Sequence, residues 1–177
     1  MNKKELRQSV KNKKLSDKYI HDASELIQQK IIDSEEFKSS KKIFCYISVE
    51  GEVSTARIIS EALKTKEVYV PKCVDKGIMK AVRIDNVDSL VRNRFGIPEP
   101  DNTDITTDEF DLIIVPCLSA GKNGERLGHG AGYYDRFLKG SKGRTVCLCF
   151  EERIRTDIIM NDNDVYMDQV ITEKNTY

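Results

Sequence analysis

Between Val115 and Leu138 the sequence reads VPCLSAGKNGERLGHGAGYYDRFL, and half of the chain's ten glycines (Gly121, Gly124, Gly128, Gly130 and Gly132) fall in this stretch. Closely spaced glycines admit positive φ and let successive N–H groups turn the same way. Such a nest, running into a helix N-terminus with its partial positive charge, suits an anion. Tyr133-Tyr134-Asp135-Arg136-Phe137-Leu138 reads as that helix start, and Arg126 adds a planar, permanently charged fork that matches phosphate oxygens. The chemistry these residues describe is the cradling of a phosphate. The same glycines would also serve a flexible lid or a tight packing corner. Two phosphate templates are excluded. No Gly-Lys-Ser/Thr triplet follows the glycines, so this is not a Walker A loop. A dinucleotide fingerprint needs glycine where Tyr133 stands, in the first βα unit, and an acidic residue about twenty positions on.

A second charged feature opens the chain. Lys3, Lys4, Arg7, Lys11, Lys13 and Lys14 face only Glu5, while Leu6 and Val10 give a helix one narrow apolar side. On a helix, Lys3 and Arg7 are four apart and Lys4 and Arg7 three apart, so these cations crowd one face and repel by a few tenths of a kcal/mol. An anion held between them reverses the sign. A solvated charged end is the alternative, and with no aromatic residue the run has little support as a membrane or nucleic-acid arm.

The elements that must position these groups follow from periodicity. Ser16 reads as the N-cap of a helix to about Glu36, with Tyr19, Ile20, Ala23, Leu26, Ile27 and Ile31 facing a core. KKIFCYIS (Lys41 to Ser48) reads as a buried strand. After it comes an acidic turn carrying Glu50 and Glu52, then a helix capped by Ser54 or Thr55 with Ile58, Ile59, Ala62 and Leu63 inward. That turn lies at a strand's carboxyl end, where open α/β sheets bind ligands. Further strands are expected at Glu67 to Val70, ended by Pro71, and at Gly77 to Arg83. A short helical segment follows near Val87 to Leu90, and Gly96 to Pro100 forms an extended crossing. Phe110 to Val115, Arg144 to Phe150 and Val170 to Thr172 complete the strands. The expected fold is α/β: one domain over residues 1–177, a mainly parallel sheet with helices on both faces, and N-terminal helices.

Composition narrows the function. With 29 basic and 29 acidic side chains the formal net charge is zero, against a general nucleic-acid binder. No apolar run approaches a membrane span and MNKKELRQ has no apolar signal-peptide core. Five cysteines without a CxxC pair, with only two histidines, give no zinc framework. The odd count suits free thiols, with Cys147 and Cys149 on one face of a strand, so a soluble cytoplasmic protein is expected. Asn161 to Asp168 is acidic but lacks the glycine and closing glutamate of an EF-hand.

GERLGHGAGYYDRFL, Gly124 to Leu138, resembles the signature of the 5-formyltetrahydrofolate cyclo-ligase (5,10-methenyltetrahydrofolate synthetase) family, Gly-x-Arg-Leu-Gly-x-Gly-x-Gly-Tyr-Tyr-Asp, with every fixed position present. Lys3 to Arg7 is similar to the family's Lys-x-x-Leu-Arg element, and Met79 to Pro100 to its middle segment. The resemblance implies an ATP- and Mg2+-dependent ligase that cyclises 5-formyltetrahydrofolate, free or polyglutamylated, to 5,10-methenyltetrahydrofolate through a phosphorylated formyl group. It implies nucleotide contacts from Lys3, Lys4, Arg7 and the run Arg126, Leu127, Gly128, His129, Gly130, Ala131, Gly132, Tyr133 and Tyr134. Arg126, Tyr133 and Lys4 would be catalytic, and Asp135 and Asp164 would take the metal. Glu52, Ile47, Met79 and Tyr133 would face the folate. His129 occupies a variable position and is given no catalytic role. Ala120-Gly121 stands where many members carry an acidic residue. Neither membrane nor nucleic-acid partners are implied, and a monomer or weak dimer is expected. Two other readings stand beside this one: a catalytically silent folate- or nucleotide-binding module, and a sugar-phosphate isomerase or acyl-CoA transferase on a related scaffold with Glu52 as base or nucleophile.

Overall fold

The computed structural model describes residues 1–94, 96–101 and 106–177. In chain order the helices are α1 (Lys3–Asn12), α2 (Asp17–Asp33), α3 (Glu35–Ser39), α4 (Ala56–Leu63) and α5 (Tyr133–Gly140). The strands are β1 (Lys42–Cys45), β2 (Glu67–Asp75), β3 (Ile78–Ile84), β4 (Leu90–Arg92), β5 (Pro98–Pro100), β6 (Glu109–Pro116), β7 (Ser119–Ala120), β8 (Arg126–Leu127), β9 (Lys142–Leu148) and β10 (Gln169–Ile171). Six of them form one sheet in the order β10-β9-β6-β1-β2-β3, parallel except for β3. The strand order divides at β1, which has β2 on one side and β6 on the other. Loops leaving the carboxyl ends of β1 and β6 therefore flank one crevice, where sheets of this kind place ligands.

Alternation along the strands sends side chains to two cores. Ile43, Cys45, Leu112, Ile114, Val146 and Leu148 pack with Ile27 and Ile31 of α2, Phe37 of α3 and Ile58, Ile59 and Ala62 of α4. Phe44, Ile113, Val115 and Cys147 point the other way, onto Phe137 and Leu138 of α5. The rings of Phe44 and Phe137 lie 4.6 Å apart. Helices thus cover both faces, as expected. Helix α1 joins neither core; Leu6 packs instead against Leu127 and Ile158. Cys147 and Cys149 share the α5-side core, as their spacing predicts.

Several local expectations are corrected. The helix from Ser16 breaks at Ser34, whose side chain accepts the Phe37 N–H and starts α3. Leu26 is 56% exposed, because the face of α2 toward the sheet is already filled by Ala23, Ile27 and Ile31. Strand β2 runs through Pro71; pairing with β1 stops at Tyr69, and beyond it β2 pairs only with β3, where a missing N–H is tolerated. Thr55 does not cap α4 with its side chain: its hydroxyl donates to the Tyr46 carbonyl at 2.7 Å. The buried Gln28 of α2 takes over, its Oε1 accepting the Arg57 N–H at 2.9 Å. The extended Gly96 to Pro100 crossing is real, and its Pro98–Pro100 portion pairs with Leu90–Arg92 as a hairpin that the sequence did not announce.

Asp111 ties the start of β1 to β6. Its Oδ2 accepts the N–H groups of Lys41 and Lys42 at 2.7 and 2.9 Å. Those donors, Lys42 first, hold its carboxyl below the usual carboxylate range. A depressed pKa contributes stability that is present above the unfolded value, about 3.9, and is lost as pH falls through the folded one. Asp111→Asn is expected to be less stable than wild type at pH 7, with the gap closing below about pH 4; urea melts at both pH values measure it.

Candidate active site

The crevice at the ends of β1 and β6 is a cleft of about 1450 Å³. The glycine segment builds one wall. A β7–β8 hairpin brings Arg126 opposite the end of β6, and Gly124 has φ of +87° where a Cβ would lie 2.2 Å from the Met167 carbonyl. Only glycine permits that approach, which seats the segment on the Met167 backbone. Gly130 and Gly132 also take positive φ, and Gly132 is the N-cap of α5. Gly121 and Gly128 do not, so the nest is shorter than the glycine spacing predicts.

Arg126 is 5% exposed and holds its charge by pairing with Asp135 in the first turn of α5, Nη2 to Oδ1 at 3.0 Å. Its Nη1 donates to the Pro116 carbonyl at 3.2 Å, and its guanidinium lies 5.6 Å from the centre of the Tyr134 ring. Its Nε is buried without an acceptor. A permanently charged group sunk this far beside a cleft, with one donor unpartnered, favours an anion next to it.

Helix α1 supplies the other cations. An Asn2–Glu5 capping box fixes its start, the Arg7 Nε donates to the Gly128 carbonyl at 2.8 Å, and Lys3 pairs with Asp164. Burial raises the Asp164 carboxyl, but the Lys3 ammonium and the Asn161 N–H outweigh it and the net shift is downward. Lys3, Arg7, Arg126, Asp135 and Asp164 all line the cleft. Lys4 does not. It is exposed and lies off the cleft wall, because one residue turns the helix by about 100° and only the i, i+4 pair Lys3 and Arg7 faces inward. Leu127 is buried under α1 with Leu6 and Ile158 and is not among the residues that line the cleft.

The facing wall comes from the β1 side. Glu52 is brought in by the turn after β1, where it accepts the Val49 N–H at 3.0 Å and lies 3.3 Å from His129 Nε2. This contact joins the β1 turn to the glycine loop. Ile47 and Met79 line the same space, with Tyr133 at the loop end. Tyr46 was unmarked by the sequence: it is 1% exposed, borders the cleft, and donates to the Val53 carbonyl at 2.6 Å, which ties strand to turn. Its position in a buried strand gives only a core signal. Ile97, Pro98 and Glu99 of the unannounced hairpin form part of the rim.

Asp135 and Asp164 suit a magnesium ion, which takes oxygen ligands and usually one or two carboxylates together with phosphate and water. Among the described residues no cluster of three or more His, Cys, Asp or Glu encloses a metal.

Similarity to known proteins gives the family. A profile of the 5-formyltetrahydrofolate cyclo-ligase family matches residues 1–173. The chain belongs to that family. A probable 5-formyltetrahydrofolate cyclo-ligase of Caenorhabditis elegans is 34% identical, the match covering 98% of this chain and 94% of the worm protein. The Mus musculus cyclo-ligase is 31% identical over 84% and 81% of the two chains. The solved Aquifex aeolicus 5,10-methenyltetrahydrofolate synthetase superposes with a TM-score of 0.87 at 34% identity, covering 99% of this chain and 92% of its own. The Mycoplasma pneumoniae synthetase, at 22% identity and a TM-score of 0.77, shares the fold. Membership in the cyclo-ligase family displaces the isomerase and CoA-transferase reading. Among the described residues of this cyclo-ligase relative, no helix is long and apolar enough to cross a membrane.

Leu6 is the apolar anchor that holds Lys3 and Arg7 against the cleft. Leu6→Ala is expected to remove about 2–5 kcal/mol of local stability. Amide exchange should quicken across residues 3–12 and stay slow in β1 and β6. Unchanged exchange in α1 would mean that the ion pairs alone hold the helix.

Proposed function

We propose that the cleft carries out the reaction for which the family is named, the ATP-dependent cyclisation of 5-formyltetrahydrofolate to 5,10-methenyltetrahydrofolate with release of ADP and phosphate. The observation that supports it is the convergence of Lys3, Arg7 and a buried Arg126 with a spare donor on a glycine loop, opposite a wall bearing Glu52 and Ile47. The whole chain acts as one catalytic domain. Four of its five free thiols are buried, which suits a reducing compartment, and we place the enzyme in the cytoplasm.

Phosphoryl transfer asks a protein mainly for positioning and charge neutralisation. Lys3 and Arg7 approach the triphosphate from α1 while the backbone N–H groups between Gly128 and Tyr134 donate to its oxygens. Asp135 and Asp164 would hold Mg2+, which neutralises phosphoryl charge when bound. Arg126 opposes the charge that develops on the γ-phosphoryl oxygens. On the other side, Glu52 accepts hydrogen bonds from pterin amino groups, and Ile47, Met79 and Tyr133 cover the apolar face. The formyl oxygen attacks the γ-phosphorus and the bond to the ADP oxygen breaks. The neighbouring folate nitrogen then attacks the activated carbon, loses its proton, and phosphate departs.

Purified protein with MgATP and 5-formyltetrahydrofolate is expected to generate the absorbance of the methenyl product. No product above a blank lacking ATP would refute the proposal, and tight nucleotide binding without product would identify a silent binding module. Arg126→Ala would also strip Asp135 of its partner, so Arg126→Lys is the better probe. It keeps the charge and loses the fork, and is expected to lower kcat roughly 10²–10³-fold with a thermal midpoint within a few degrees of wild type. An equal kcat would rule out a transition-state role for the fork.

A further inference from the structure

We propose that Arg136 is a positioning residue that sets the separation of the two cleft walls, a role that rests on the function proposed above and that neither the phosphate cradle nor the folate wall requires. Arg136 sits in the first turn of α5 and its side chain crosses from that helix to the turn joining β2 and β3. Its Nε donates to the Gly77 carbonyl at 2.7 Å and its Nη2 to the Ala131 carbonyl at 2.6 Å. One rigid fork therefore holds two carbonyls from separate elements. Gly77 belongs to the β2–β3 hairpin, whose Asp75, Lys76 and Met79 line the cleft; Ala131 belongs to the glycine loop.

The slot that receives the guanidinium is shaped for it. Gly77 and Gly132 have φ of +77° and +71°, and a Cβ built on either would lie 2.6 Å from Nη2 or 2.8 Å from Nη1. The guanidinium carbon is 5.9 Å from the centre of the Tyr133 ring. Because the Ala131–Gly132 peptide is planar and trans, fixing the Ala131 carbonyl toward Arg136 turns the Gly132 N–H the opposite way. The clasp thus orients one of the loop amides as well as the hairpin. Met79 and Ala81 of β3 are packed into the α5-side core, whereas Val74 and Ile78 near the turn are 40% and 52% exposed. Among the described residues no other side-chain hydrogen bond joins this turn to the glycine loop.

A cleft whose walls are held at their working separation spares the substrate the ordering cost of bringing them there. Loss of the clasp should therefore appear in substrate binding before it appears in chemistry. Arg136→Ala is expected to raise KM for 5-formyltetrahydrofolate about tenfold with kcat within about threefold. Arg136→Lys should recover only part of the loss, since a compact ammonium cannot span both carbonyls. Gly77→Ala should raise KM alone but add nothing in the Arg136→Ala background, the signature of a shared contact. Amide exchange of residues 75–78 and 130–133 in the ligand-free protein should quicken in Arg136→Ala. Unchanged KM or unchanged exchange overturns the proposal, as does a fall in thermal midpoint and kcat with KM intact. Should Arg136→Ala not fold, Arg136→Gln carries the same comparison. Exchange is read without turnover, so a wild-type protein that makes no product refutes the proposed reaction and leaves the clasp to be decided by exchange alone.

Discussion

The ion pair between Arg126 and Asp135 is the constraint on which the site depends. A guanidinium whose side chain is 3% exposed must keep a counter-charge, since removing one partner of a buried pair leaves an uncompensated charge. The pair joins the β7–β8 hairpin to the first turn of α5, and both ends are covalently continuous with the glycine loop between them. Holding its two ends this way leaves a short run of backbone free to present donors to the cleft. Arg126 retains one buried donor, so the pair is both a structural tie and an incomplete coordination shell.

The sheet supplies the second ingredient, two diverging loops. Because β1 has β2 on one side and β6 on the other, the turn that carries Glu52 and the loop that carries Arg126 leave adjacent strand ends and separate. Phe44 and Ile113 fix the α5 side of this junction, while Ile43 and Leu112 fix the α2–α4 side. The contact between Glu52 and His129 spans the gap at one point, and the Arg136 side chain ties the glycine loop to the β2–β3 turn at another. The site is thus an opening whose walls belong to different elements, and cross-wall contacts determine its dimensions.

Helix α1 closes the arrangement from outside both cores. Besides the buried Val10 and the exposed Lys13–Glu152 pair at its end, it is held by three contacts beside the cleft: Leu6 in a small cluster, Arg7 on the Gly128 carbonyl and Lys3 on Asp164. Two of those three contacts use groups that would also face a bound nucleotide. In the proposed reaction these charges would be exchanged for phosphate, and the position of α1 would then depend on the ligand.

The sequence by itself determined the parts whose information is local. Strand alternation at Ile43 to Cys45 and Leu112 to Val115 specified both cores, and Gly130-Ala131-Gly132 before Tyr133 specified a positive-φ entry into a helix, because backbone preference and side-chain period are properties of neighbouring residues. The Lys3–Arg7 spacing and the Tyr-Tyr-Asp run made the family and most of its cleft residues legible. Tertiary structure decided what depends on distant partners. The orientation of α1 selected Lys3 over Lys4, the packing of Leu6 turned Leu127 away from the cleft, and the end of the β1 ladder let Pro71 stand within β2. Tyr46 at the cleft, the hairpin at its rim, the meeting of Glu52 with His129 and the span of Arg136 to Gly77 share that origin. Each is set by residues dozens of positions apart brought together only by the order of the strands, and no window along the chain contains both partners.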